Sequence, residues 1–205
     1  MYADKLKIGV SNRPFFEAPG KAELSALYAK QKGTCAFCTF PALKAMRPVK
    51  ADGCEVALAC PLCADVLELD RAYLKLKNRT QPGYMIVMPD LSQAELNILV
   101  HQIFAQQRLN PESFDGSTAS RVYDKLSQNI HYAKLSLQKG GSEPSVIADM
   151  LMGLPDAKYQ KRHKIFDEIA LRYLPKFATY DDFTEYWSAN AYSQIDLLDK
   201  PKTDA

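Results

Sequence analysis

Cys35-Ala36-Phe37-Cys38 and Cys60-Pro61-Leu62-Cys63 are two Cys-x-x-Cys knuckles with 21 residues between them. Thiolates two residues apart on a tight turn approach one tetrahedral ion from the same side, and a second knuckle completes a four-sulfur shell. Paired knuckles ~15–20 residues apart form a zinc pattern, and the present spacing lies just past that range. Two disulfides or four buried free thiols are the alternatives. The chain opens Met1-Tyr2-Ala3-Asp4-Lys5 without an apolar leader, and no apolar run nears the ~18 residues of a membrane span. A cytoplasmic, reducing setting is therefore expected, which disfavours disulfides. Four thiolates leave no coordination position for water or substrate, so Cys35, Cys38, Cys60 and Cys63 are expected to hold one structural Zn²⁺. The fifth cysteine, Cys54, follows Gly53 in a turn and reads as a small, part-buried thiol rather than an exchanging ligand.

The flanks of the knuckles supply regular structure. Lys21–Gln31 is rich in helix formers, with Leu24, Leu27, Tyr28 and Gln31 on one face and Gly33 as a left-handed stop. Pro48-Val49 and Val56-Ala57-Leu58 flank Asp52-Gly53, a loose hairpin. A helix is expected over 64–73, then a polar connection ending Pro82-Gly83 and a strand over 84–88. Ser92 and Glu95 are spaced as a capping box ahead of Leu96, Leu99, Val100, Ile103 and Phe104. Further helices are predicted over about 117–138, over 144–152 and from Pro155 to before Pro175. The third carries Tyr159, His163, Phe166, Ile169, Ala170 and Tyr173 on its apolar side. A last helix opens on Thr179 and Asp182. Tyr173, Phe177, Tyr180, Phe183, Tyr186, Trp187 and Tyr192 crowd this end, as core or as a groove for a partner's apolar side chains. The fold class is α+β, mostly α. Residues 1–83 form a small zinc module, residues 84–200 a helical region packed on it, and 201–205 a frayed tail.

Composition excludes little but sets limits. Of 205 residues 47% are hydrophobic and 24% charged, and 26 Lys and Arg against 24 Asp and Glu leave a net charge of +2. That balance argues for a packed soluble domain and against a dedicated nucleic-acid or membrane surface. No Gly-rich phosphate loop, nucleophile elbow or clustered carboxylate pair occurs.

The order helix, knuckle, hairpin, knuckle, helix resembles zinc-stapled members of the HNH endonuclease superfamily. That resemblance implies a ββα module in which histidines on the hairpin and following helix hold a divalent cation at the scissile phosphate. The matching stretches here read Ala45-Met46-Arg47-Pro48-Val49-Lys50, Asp52-Gly53-Cys54-Glu55-Val56 and Ala64-Asp65. The only histidines are His101, His131 and His163, all inside later predicted helices, so no enzyme is expected.

Cys35-Ala-Phe-Cys38-Thr-Phe40, Cys60-Pro-Leu-Cys63-Ala-Asp65 and Val87-Met-Pro-Asp-Leu-Ser-Gln-Ala-Glu-Leu-Asn97, with Ile103-Phe104, resemble in register the DotN (IcmJ) family. Its members are cytoplasmic subunits of the type IV coupling complex of Dot/Icm (type IVB) secretion systems. The resemblance covers about residues 22–105. It implies an HNH-like zinc module without nuclease residues, with ligands at Cys35, Cys38, Cys60 and Cys63, followed by helices. It also implies binding to the cytosolic C-terminal tail of a DotL-like coupling ATPase beside a membrane-anchored DotM-like subunit. The chain departs in a shorter Cys38–Cys60 connection and in carrying Cys54.

Two functions follow. The first is a non-enzymatic zinc adaptor that clamps a disordered ATPase tail, with the 84–88 strand as an edge and the aromatic helices as pockets. The second is a nucleic-acid-binding zinc protein or residual HNH nuclease using Lys44, Arg47, Lys50, Lys75, Lys77 and Arg79. Residues 1–90 carry 13 basic against 9 acidic side chains, a low surplus for a DNA-binding face.

Overall fold

In the computed structural model, which describes residues 2–11, 13–74, 81–137 and 140–198, helix α1 (Lys21–Gln31) opens where Glu23 Oε2 accepts the Gly20 N–H at 2.9 Å. Leu24, Leu27, Tyr28 and Gln31 are its part-buried residues, the face the periodicity predicts. The stop begins one residue before Gly33: Lys32 (φ 52°) and Gly33 (φ 75°) both lie in the left-handed region. Strands β1 (Arg47–Lys50) and β2 (Val56–Ala59) pair antiparallel from Arg47↔Ala59 to Lys50↔Val56, closed around Gly53 (φ 71°).

Cys60 is the N-cap of α2 (Pro61–Leu67), whose first residue is proline, the residue pre-organised for that position. Every residue of α2 is buried. The N-terminal segment Leu6–Val10 runs along it, with Gly9 N–H on the Val66 carbonyl and Leu69 N–H on the Gly9 carbonyl, both at 3.0 Å. The helix expected over 64–73 is two pieces, α2 and α3 (Leu69–Leu74). Glu68 leaves helical geometry between them (φ −131°, ψ 59°), and its carboxylate meets Arg47 and Arg71.

Beyond this module come β3 (Gly83–Val87), α4 (Gln93–Leu109), α5 (Pro111–Phe114), α6 (Thr118–Gln128), α7 (Ile130–Leu137) and α8 (Pro144–Met152). They are followed by α9 (Asp156–Tyr159), α10 (Arg162–Glu168), β4 (Leu171–Pro175) and α11 (Asp181–Asn190), with 3₁₀ turns at Phe177–Tyr180 and Tyr192–Gln194. Ser92 and Glu95 cap α4 reciprocally, as predicted. The 117–138 helix breaks at Asn129 into α6 and α7. The helix expected from Pro155 to before Pro175 is α9, α10 and then a strand. Ala170 (φ 51°) ends the helical run, and β4 pairs antiparallel with β3 from Gly83↔Pro175 to Val87↔Leu171. Local apolar period favoured helix; a strand partner nearly ninety residues upstream decided otherwise. The last helix starts at Asp181 after Tyr180, so Thr179 is not its cap.

The described residues are thus mixed and mostly helical, with two small two-stranded sheets among them. Its apolar core is one cluster that joins Phe37, Cys60 and Leu62 to Leu96, Phe104, Leu151, Tyr173 and Trp187. Tyr173, Tyr180, Trp187 and Tyr192 are fully buried in it, so the aromatic end is core rather than an open groove, with Phe183 and Tyr186 nearer the surface. Nor does β3–β4 offer a free edge at its centre. Met85 N–H donates to the Ser142 carbonyl (2.9 Å), and both backbone groups of Tyr173 meet the Gln93 side chain. Among the described residues no helix is long and apolar enough to cross a membrane. Lys75, Lys77, Arg79 and the 201–205 tail lie outside the described residues.

Gly83 starts β3 because nothing larger fits there. A Cβ would meet the Leu174 carbonyl oxygen and come within 2.7 Å of the Tyr173 ring. Gly83→Ala is expected to cost about 1–3 kcal/mol by overpacking against backbone, read as a lower urea midpoint with unchanged slope.

Candidate metal centre

The first knuckle is a turn held at both ends: Cys35 N–H donates to the Phe40 carbonyl (2.9 Å) and Thr39 N–H to the Cys35 carbonyl (3.1 Å). Thr39 stands at φ 60°, a left-handed conformation that a β-branched residue adopts at a cost of ~1–3 kcal/mol. The second knuckle is the opening turn of α2, with Cys60 as cap and Cys63 three residues on. The hairpin between them returns the chain so that Cys60 follows Ala59, the residue opposite Arg47.

These elements bring the sulfurs of Cys35, Cys38, Cys60 and Cys63 within 4.8 Å of one another, all buried. Cys54 is part-buried and is not among them. Cys38 Sγ and Cys60 Sγ are 3.7 Å apart. A tetrahedron with metal–sulfur bonds of about 2.3 Å has edges of about 3.8 Å, so that edge fits a bound ion and is far too long for a disulfide. The four cysteines are positioned to hold a metal ion. Their protonation points the same way. Burial, then the hydrogen bonds with Cys35 and Cys38, pushes the thiols of Cys60 and Cys63 well above the ordinary value. Burial also raises Cys35, but hydrogen bonds with Cys38, Cys60 and Cys63 outweigh it and bring that thiol well below the ordinary value. Binding a divalent cation requires each thiol to lose its proton, so the ion offsets what burial costs Cys60 and Cys63.

The sequence reading missed the side chains behind the sulfurs. Asn97 Nδ2 lies 3.2 Å from Cys63 Sγ and His101 Nε2 lies 3.5 Å from Cys60 Sγ, while the Cys60 N–H donates to Cys35 Sγ at 3.3 Å. The His101 ring stacks on Phe40 (centroids 3.6 Å, 9° between planes) and meets Trp187 edge-on at 5.0 Å. Burial pushes its pKa down to about 3 against the pull of the Cys35 thiolate, so the imidazole is neutral. The signal was present: Gln93, Asn97 and His101 recur every fourth residue among the mostly apolar buried residues of α4. By contrast Tyr159 and His163, expected on one helix face, fall on α9 and α10.

Arg47, named among the basic contacts for nucleic acid, is already engaged. Its Nη2 sits 2.7 Å from Asp65 Oδ1 and 3.2 Å from Glu68 Oε2, both carboxylates buried. Lys44 is exposed and Lys50 part-buried.

No family model matches the chain. Against curated proteins, 176 residues align at 25% identity with the type 4 apparatus protein DotN of Legionella pneumophila, covering 82% of this chain and 79% of that protein. The chain is therefore similar to DotN over most of the length of both.

Proposed function

We propose that the chain is a non-enzymatic, zinc-containing adaptor subunit of a Dot/Icm-like (type IVB) coupling complex. It is cytoplasmic and held at the inner membrane through that complex. It binds the cytosolic C-terminal tail of a DotL-like coupling ATPase, alongside a DotM-like subunit, and helps deliver substrates. The observation that carries this reading is the similarity to DotN across four-fifths of the chain, and the buried four-cysteine cage is compatible with it.

Zinc is the ion that four thiolates in a closed tetrahedral shell select, and such a shell serves the fold rather than a reaction. An HNH-like origin of the module is supported by its order of knuckle, β1, β2, knuckle and α2. Where such a nuclease would carry a histidine on the first strand and a ligand on the helix, this chain pairs Arg47 with Asp65. An ion pair there favours a docking role over phosphodiester cleavage.

A disordered tail gives up its conformational freedom on binding, so its partner has to offer a long, pre-formed surface. Mixed with the purified C-terminal tail of the coupling ATPase at about micromolar concentration, the chain is expected to elute as a complex of one copy of each. Separate elution, confirmed by light scattering, would overturn the adaptor reading.

A further inference from the structure

Gln93, Asn97 and His101 stand one turn apart on α4, and their orientations follow from one unambiguous end. The backbone N–H of Tyr173 can only donate, and it meets Gln93 Oε1 at 2.8 Å. The Tyr173 carbonyl can only accept, and it meets Gln93 Nε2 at 2.9 Å. The same Nε2 faces Asn97 Oδ1 at 2.9 Å, which leaves Asn97 Nδ2, a donor, aimed at Cys63 Sγ. Cys63 sulfur has to accept. His101 Nδ1 has no partner among the described residues, whereas Nε2 faces Cys60 Sγ. Of the two ring nitrogens only Nε2 faces an acceptor, so the N–H that the ring donates is the one at Nε2. With the Cys60 N–H on Cys35 Sγ, three of the four sulfurs are met by donors.

Four thiolates around a divalent cation leave two negative charges in a buried place, a costly arrangement unless dipoles are aimed at it. We infer that the α4 stripe belongs to the metal site. Asn97 and His101 are positioning residues whose N–H groups hold Cys63 and Cys60 as metal-bound thiolates, and Gln93 fixes Asn97 from β4. The inference rests on reading the cage as a metal site. It makes the centre a joint between the N-terminal module and the β3–α4–β4 region rather than a property of the module alone.

The test uses the full chain loaded with zinc and, in parallel, with Co²⁺. His101→Phe keeps the ring stack on Phe40 and removes the donor. It is expected to fold with one zinc and to yield it to a competing chelator about 10–100-fold more readily than the wild type. His101→Gln, whose amide nitrogen reaches nearly the place of Nε2, restores most of the loss. Asn97→Leu behaves as His101→Phe does. In the Co²⁺ forms of the two donor-less variants the thiolate-to-cobalt charge-transfer band moves to lower energy, because a sulfur lone pair without its N–H donor lies higher. Loss of packing alone does not move that band. Folded variants that keep zinc as tightly as the wild type, with the band unmoved, overturn the inference and leave the cage standing. A wild-type chain that carries no zinc and takes up no Co²⁺ overturns the metal reading and the inference with it.

Discussion

Cys60→Ser is expected to remove both the metal and the cooperative fold. Cys60 combines several roles within the four-cysteine cluster. It is fully buried and caps α2. Its N–H serves Cys35 Sγ, and its own sulfur lies against Cys38 and His101. Metal binding in small zinc modules contributes about 10–16 kcal/mol apparent, comparable to or above the ~5–15 kcal/mol net stability of a whole domain. Removal of one ligand therefore takes away an amount the remaining core does not replace. Without the ion, burial keeps Cys63 protonated in an apolar interior, and the strained Thr39 turn loses the bond that over-determines it. Elemental analysis should find no stoichiometric zinc, and thermal unfolding followed by circular dichroism should lose its sharp transition. Cys54→Ser, which alters a part-buried thiol outside the cage, should melt with the wild type. A Cys60→Ser chain that holds one zinc and melts like the parent would sink the structural role assigned to the ion.

How much of this was legible in the sequence depends on whether the cause was local. The α1 face, the Ser92–Glu95 cap, the hairpin about Gly53 and each Cys-x-x-Cys knuckle depend on residues within a few positions of one another, and the fold contains each of them. The strand β4 does not. Phe166, Ile169, Ala170 and Tyr173 fit a helical stripe, and only β3 makes Leu171–Pro175 extended. The breaks at Glu68 and Asn129 are likewise tertiary. Glu68 turns inward to two arginines, and the Asn129 carbonyl accepts from Val87 N–H at 3.4 Å. The buried segment Leu6–Val10 carried an alternation of apolar residues that the sequence reading passed over, because one strand-like run with Gly9 in it has no local partner. At the centre, the four cysteines that cluster came from spacing. The donors on α4 came from another part of the chain and were visible only as polar residues out of place on an apolar face.

Arg47→Met is expected to cost about 3–5 kcal/mol at neutral pH, because it removes the cation from a buried acidic pair while leaving the pair. Arg47 is 24% exposed, whereas the carboxylates it joins are 4% and 5% exposed. Asp65 also accepts from Tyr180 Oη at 2.9 Å, and Tyr180 Oη lies 3.3 Å from Tyr173 Oη, so the group ties β1 and α2 to β4 and the turn before α11. Burial pushes the Glu68 carboxyl up, with Arg47 and Arg71 pulling it back down. In the variant one of those two cations is gone and the folded value rises further. A carboxyl whose folded pKa exceeds its unfolded one favours the fold below the unfolded value and loses that contribution as pH rises through the folded value. The deficit of the variant should therefore be largest near neutral pH and narrow as pH falls toward the ordinary carboxylate value of 4.5. Urea unfolding of both proteins at about pH 7 and about pH 5 reads the difference directly. A deficit of the same size at both would mean that Glu68 is not the group Arg47 restrains, and a deficit under about 1 kcal/mol would mean that the ion pair is as weakly stabilising as one on the surface. The second result would also remove the reason for regarding Arg47 as a structural residue of the module rather than a free cation awaiting a phosphate.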